Sequence, residues 1–266
     1  MIRCRCEESA DWAVGKRVEL VPEESNHLCS VLRAALGEPL ELMDGRGGVA
    51  QAVLEEGHKK HARVRVTSVA RMPAPMPRRI LAQAVIREQR MDWLVQKAVE
   101  LGVGEIWPLQ TEYAVVRIRP EEAAKKSQRW QAVAWSACKQ SGNPWLPRLE
   151  PVQSLASALA RMTEGKMEAC FGGLQGDAVP LPDYLGRLHK ANCGELAVLI
   201  GPEGDFSLAE VKALHAAGVA PVSFGPLVFR VETASLFALS AIQYVWLSSV
   251  ESVAPVSSLG KEISHE

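Results

Sequence analysis

Leu199-Ile200-Gly201-Pro202-Glu203-Gly204-Asp205-Phe206-Ser207, continuing into Leu208-Ala209-Glu210, is the stretch that decides the fold. An apolar run, Leu196 to Ile200, leads into it. Ser207 and Glu210 stand at capping-box spacing, so each side chain can satisfy a free amide at a helix start. A buried strand passing through a glycine-bearing loop into a helix is the unit of a parallel α/β sheet. Such sheets bind ligands at the carboxyl ends of their strands. Gly201 and Gly204 permit close backbone approach. The loop has neither the Gly-Lys-Ser/Thr of a P-loop nor a GxGxxG fingerprint. Glu203 and Asp205 disfavour a phosphate, so a neutral or cationic ligand read by backbone groups fits better. A plain turn with a helix cap is the other reading.

A second loop follows: Phe224-Gly225-Pro226-Leu227-Val228-Phe229-Arg230-Val231-Glu232-Thr233. From Ala213 to Trp246, Arg230 and Glu232 are the only charges besides His215. Charges in apolar surroundings are usually paired. Arg230 and Glu232 therefore form either a structural ion pair or a guanidinium and a carboxylate aimed at a substrate.

Around these loops, periodicity predicts strands at 80–86, 106–109, 167–171, 196–200 and 221–224. It predicts helices from Met91 to Leu101, from Pro120 to near Gly142, from Ser207, and from Ala234 to Trp246. Upstream, Met72-Pro73-Ala74-Pro75-Met76-Pro77 resists both helix and sheet and reads as a stiff linker. Before it, Pro22-Glu23-Glu24 opens a helix to about Arg33. Leu40–Met43, Asp44-Gly45-Arg46-Gly47 and Val49–Leu54 read as a hairpin. Arg63-Val64-Arg65-Val66 alternates as a half-buried strand. The organisation expected is 1–72 as a small first domain, 73–78 as linker, 79–250 as the α/β domain and 251–266 as a mobile tail.

Hydrophobic residues make up 47% and charged residues 23% of the 266, the balance of a soluble globular protein. The chain shows neither a membrane-spanning apolar run nor a signal-peptide core, so a cytoplasmic protein is expected. Six cysteines without CxxC or histidine partners predict structural thiols and no metal. Residues 1–149 carry 23 Lys+Arg against 18 Asp+Glu, and the remainder 7 against 13, an asymmetry that can mark a nucleic-acid face.

The two loops together, Gly201-Pro202-Glu203-Gly204 and Gly225-Pro226 running to Arg230-Val231-Glu232-Thr233-Ala234, resemble the RsmE family. These are SPOUT-superfamily enzymes that methylate N3 of a uridine in 16S ribosomal RNA. Asn26-His27-Leu28, Met43-Asp44-Gly45, Arg90-Met91-Asp92-Trp93, Gln96-Lys97, Glu100-Leu101-Gly102-Val103, Trp130 and Ala137-Cys138-Lys139-Gln140-Ser141-Gly142 extend the resemblance in the family's order.

The resemblance implies a PUA-like β-barrel followed by an α/β domain with a deep trefoil knot, a homodimer, and no metal. It implies S-adenosylmethionine (SAM) as methyl donor, held by Leu199, Gly201, Gly204, Phe224, Gly225, Leu227, Phe229 and Thr233. Arg230 and Glu232 are the catalytic candidates: Arg230 would stabilise the uracil anion, and Glu232 would orient Arg230 or contact the adenosine side. The RNA candidates are Arg33, Lys59, Lys60, Arg63, Arg65, Lys97, Glu112, Gln140 and Asn143, with a second basic cluster at Arg117, Arg119, Lys125, Lys126 and Arg129. The chain departs from the family's usual residues at Leu227, Val231, Asp205, Tyr113 and Asn143. The expected activity is thus methyl transfer to ribosomal RNA of the small subunit. One alternative is a non-catalytic RNA-binding or ribosome-assembly protein with a relict SAM pocket. A dinucleotide-dependent oxidoreductase is disfavoured by the missing GxGxxG.

Overall fold

The computed structural model describes residues 1–7, 9, 12–173 and 178–247. The expected tail, 251–266, lies outside the described residues. The chain divides into two compact units.

The first unit takes in Met1–Ala74 together with Cys138–Leu146. Its strands are β1 (Ile2–Arg5), β2 (Arg17–Glu19), β3 (Pro39–Met43), β4 (Gly48–Glu56) and β5 (Arg63–Arg71). They form one sheet in the order β1-β3-β4-β5-β2. β1 runs parallel to β3 and the remaining pairs are antiparallel. The β3–β4 turn closes as its sequence requires. Gly45 and Gly47 adopt positive φ, and the buried Asp44 carboxylate accepts from the backbone N–H groups of Arg46 and Gly48 at 2.6 and 2.8 Å. On β5, Val64 and Val66 enter the core with Leu28, Leu40, Leu42 and Leu54, and Arg63 and Arg65 face out. The helix opened by Pro22, α1, keeps α geometry only to Asn26. It widens into a π turn over His27–Val31, in which Leu32 N–H donates to the His27 carbonyl. Arg33, at φ 54°, ends it.

Within 138–146, the Lys139 ammonium donates to Glu24 at 2.7 Å. Arg3 donates to Glu41 at 2.9 Å and to the carbonyls of Lys139 and Gln140.

The second unit takes in Pro75–Ala137 and the chain from Pro147 onward. Its strands are β6 (Arg78–Ala84), β7 (Glu105–Gln110), β8 (Arg148–Leu149), β9 (Gln153–Ser154), β10 (Glu168–Gly172), β11 (Val179–Pro180), β12 (Glu195–Ile200) and β13 (Ala220–Ser223). The sheet order is β11-β13-β10-β12-β6-β7-β8, with β9 also on β7, and every pairing is parallel. The helices are α2 (Glu88–Glu100), α3 (Pro120–Ser141), α4 (Leu155–Glu164), α5 (Leu181–Lys190), α6 (Leu208–Ala216) and α7 (Val231–Leu247). α4 and α6 cover Ile80, Ala82, Trp107, Leu109, Ala197 and Leu199 on one face of the sheet. α7 packs with α2, α5, β6 and β12 in the other layer.

This is the parallel α/β architecture expected from the first loop. Two helices that the sequence reading did not single out, α4 and α5, complete it. α5 presents Leu181, Tyr184, Leu185 and Leu188 to the interior.

The chain path matters for the site. After β12 and α6, the chain reaches β13 on the far side of β10, then turns back so that α7 lies against β12 and β6. The loops after β12 and β13 therefore leave the same edge of the sheet, because the strands are parallel.

Candidate functional site

A cavity of about 630 Å³ opens at the carboxyl ends of β10, β12 and β13. Gly172 and Gly173 line it after β10. Ile200, Gly201, Pro202, Glu203 and Asp205 line it after β12. Val222 through Val231 and Ala234 line it after β13. The two loops singled out in the sequence thus share one cavity, of a size that suits a small-molecule ligand.

Local chemistry explains how the β12 loop holds its shape. Ser207 and Glu210 form the anticipated capping box: Ser207 Oγ accepts from Glu210 N–H at 3.2 Å and Glu210 Oε2 from Ser207 N–H at 2.9 Å. The second Glu210 oxygen accepts from Glu112 N–H at 2.8 Å. Asp205 sits at φ 61°, where a side chain usually costs energy. Its Oδ1 accepts from the next backbone N–H, Phe206, at 2.7 Å, a local bond that lets a carboxylate occupy a position suited to glycine. Small residues keep the cavity open. A Cβ on Gly172 would come 3.0 Å from the Phe224 ring, and one on Gly201 would come 3.2 Å from Asp205 and Phe206. Gly225, at φ 108°, turns the second loop. Phe224, Phe229 and Phe237 then make an aromatic cluster, with ring centroids 5.2 to 6.4 Å apart.

Of the eight residues expected to hold the cofactor, Gly201, Phe224, Gly225, Leu227 and Phe229 line the cavity. Leu199 is fully buried in the sheet core. Gly204 faces the Tyr113 side chain, and Thr233 lies exposed on the first turn of α7. Leu227 is 71% exposed at the cavity rim, and Val231 is buried as the first residue of α7.

Arg230 lines the cavity and is exposed. Among the described residues no carboxylate lies within ion-pair distance of it. The structural pairing of Arg230 with Glu232 is therefore not what forms. Glu232 pairs with Arg90 of α2, whose other terminal nitrogen donates to Glu203 at 2.7 Å. Burial pushes the Glu232 carboxyl up, but the hydrogen bond from Arg90, a bond to its own backbone and the charges of Arg90 and Arg230 together outweigh it, and its pKa settles below the usual carboxylate value. The bond to Glu232 holds the Arg90 guanidinium above its own ordinary range. Sequence reasoning placed Arg90 only in a helix motif. Its contacts span 113 and 142 residues, and no local pattern encodes them.

The RNA candidates fall on several surfaces. Arg63 pairs with Glu19 and Glu56, and Arg65 with Glu55, across the outer face of β2, β4 and β5. Lys59 and Lys60 stand exposed in the preceding turn, and Arg33 is exposed after the π turn. Lys97 pairs with Glu100 at 2.8 Å. Glu112 is exposed in the loop after β7. Gln140 is exposed, and Asn143 turns its amide oxygen onto Trp145 N–H at 3.0 Å. In the second cluster, Arg119 is tied to Glu121 and Glu122, Lys126 to Glu88, and Arg129 to Glu88 and Asp92.

Burial pushes the thiols of Cys4, Cys138 and Cys170 up to about 12, so none is a nucleophile. Among the described residues no cluster of histidine, cysteine and carboxylates could hold a metal, and no helix is long and apolar enough to cross a membrane.

Residues 73–243 match the model of an RNA methyltransferase domain, and residues 22–67 match that of an RNA methyltransferase PUA domain. The chain is 29% identical to ribosomal RNA small subunit methyltransferase E of Bacillus subtilis, over 84% of this chain and 88% of the relative. It is 30% identical to the Mycobacterium bovis protein of the same name, over 83% of each. Among solved structures, ribosomal RNA small subunit methyltransferase E of Neisseria gonorrhoeae bound to S-adenosyl methionine superposes with a TM-score of 0.82 at 30% identity, covering 92% of this chain and 98% of that one. A Legionella pneumophila protein in complex with bound SAM superposes at 0.81 with 33% identity, covering 91% and 97%.

Proposed function

The chain belongs to the RNA methyltransferase family that includes ribosomal RNA small subunit methyltransferase E, and from that premise we propose that it transfers a methyl group from SAM to N3 of a uridine in 16S ribosomal RNA. The observation that carries this reading is the cavity built from both glycine-bearing loops, with the Arg230 guanidinium, which has no carboxylate partner among the described residues, in its lining.

The residues present fit the cofactor. Gly201, Val222 and Gly225 line the cavity, where their backbone groups would read an adenine edge, and Leu227 and Phe229 would give apolar cover. Bound there, SAM supplies an electrophilic methyl on a sulfonium with a neutral leaving group. The loops of this chain fix the acceptor beside it, and positioning supplies much of the rate. Arg230 donates to the uracil oxygen on which negative charge collects as the N3 proton leaves. Arg63, Arg65, Lys59, Lys60 and Arg33 of the first unit contribute phosphate contacts. Lys97, Glu112, Gln140 and Asn143 are secondary candidates for RNA contacts.

The chain path from β12 past β10 to β13, returning as α7, is read as the trefoil-knotted crossing. Thr233, Phe237, Ser240, Tyr244 and Leu247 make an exposed stripe on α7 that repeats every four and three residues. We infer that a second copy covers it, giving a homodimer. The protein works in the cytoplasm, where small ribosomal subunits are assembled.

Mass spectrometry of 16S ribosomal RNA from a strain lacking the gene tests this reading. Loss of one 3-methyluridine, restored by the wild-type gene, is the expected result. An unchanged nucleoside profile overturns it.

A further inference from the structure

One side chain outside both loops touches both of them. Arg90 stands in the first turn of α2 and lines the cavity wall. One terminal nitrogen meets Glu203 of the β12 loop, and the other meets Glu232 at the start of α7, where the β13 loop ends. Its Nε is buried without a hydrogen-bond partner, so the two carboxylates offset the desolvation of this group. A guanidinium suits the task because it presents several donors in a rigid fork, whereas an ammonium is a point charge. The same contact takes up the Glu232 carboxylate, which stands two residues from Arg230.

We propose that Arg90 is a positioning residue: it clamps the two loops of the cavity into binding geometry and, by engaging Glu232, keeps the Arg230 guanidinium unpaired for substrate. The proposal rests on the reading of the cavity as the SAM site. Arg90 acts on the cofactor through Glu203 and Glu232, whose loops carry Gly201, Phe224 and Gly225. Freed from Arg90, the Glu232 carboxylate faces Arg230 as its nearest cation, and the second loop loses its anchor to α2.

The test is calorimetric titration of the full chain with SAM for the wild type, Arg90→Ala, Arg90→Lys, Glu203→Gln and the Arg90→Ala/Glu203→Gln double variant. Arg90→Ala is expected to weaken binding by about tenfold or more, the scale of effect that loop misplacement produces. Arg90→Lys should fall between it and the wild type. The double variant should bind no worse than Arg90→Ala, because both changes remove one coupled contact. Affinity of Arg90→Ala within about twofold of the wild type, or losses that simply add, overturns the proposal.

If the wild type takes up no SAM, the reading of the cavity has failed, and the clamp is judged separately by hydrogen exchange on the ligand-free chain. Amides in 201–207 and 224–231 should then exchange faster together in Arg90→Ala. Unchanged exchange in either loop overturns the clamp.

Discussion

The Ser235 hydroxyl donates to Oε1 of Gln83 at 2.5 Å, between α7 and β6, where both residues are fully out of solvent. The hydroxyl also approaches the Val231 carbonyl at 2.9 Å, one turn back. Gln83 Nε2 donates to the carbonyl of Ala84. This small polar seam fixes the first turns of α7 on the sheet directly below the cavity.

Removing one partner leaves a buried oxygen unsatisfied. Ser235→Ala should therefore destabilise the chain by about 1–3 kcal/mol, read from urea unfolding midpoints. Ser235→Ala combined with Gln83→Leu should recover part of that loss, because the orphaned Gln83 oxygen is then gone while the Ala84 carbonyl loses its donor. A double variant no more stable than Ser235→Ala would argue against the seam.

Arg230 is exposed, lines the cavity and has no carboxylate partner among the described residues. Arg230→Ala should lower methyl transfer by about a hundredfold or more while SAM affinity stays within about tenfold, the signature of a group used in the transition state. Single-turnover assays and calorimetry read the two quantities. Full turnover in this variant would remove Arg230 from the chemistry.

The Glu232 carboxyl lies below its ordinary value of 4.5 because the Arg90 contact, its own backbone hydrogen bond and the charge of Arg230 together outweigh the effect of burial. A depressed acid favours the folded state above its unfolded pKa, and that contribution disappears as pH falls through the lower folded pKa. Wild type and Glu232→Gln should therefore differ in thermal midpoint by a constant amount from neutral pH down to about 4.5. The difference should shrink in more acidic solution. A difference that grows on acidification contradicts the assigned direction.

Tyr244 is 79% exposed on α7, in line with Phe237 and Leu247. Sedimentation should show a dimer for the wild type and a monomer for Tyr244→Asp/Leu247→Asp, since charges in an apolar seam oppose its burial. A wild-type monomer would leave the stripe without its inferred occupant.

The parallel sheet and the cavity were legible because glycine, proline and capping residues punctuate them locally. Ser207 with Glu210 marks a helix start, and Asp44-Gly45 marks a tight turn, whatever the rest of the chain does. α5 was harder to read: Pro182 and Gly186 interrupt a pattern that Leu181, Tyr184, Leu185 and Leu188 nonetheless carry at helical spacing. The partner of Glu232 was not legible at all. The nearest cation in sequence is Arg230, and the one that reaches the carboxylate is 142 residues away, brought there by the packing of α2 on α7. The outward arginines of β5 were readable as a face, but their glutamate partners come from two other strands, Glu19 on β2 and Glu55 and Glu56 on β4.

Those ion pairs have a consequence for how a polyanion is gripped. An arginine already neutralised by its own protein has to exchange a carboxylate for a phosphate, and the displaced glutamate then takes up a cation from solution. Some of the sodium or potassium shed by the nucleic acid is thereby recaptured at the protein surface. A strand laid across β5 would thus show a flatter dependence of log affinity on log salt than a count of its arginines implies. Most of the gradient would come from Lys59 and Lys60, exposed in the preceding turn and without a carboxylate partner among the described residues.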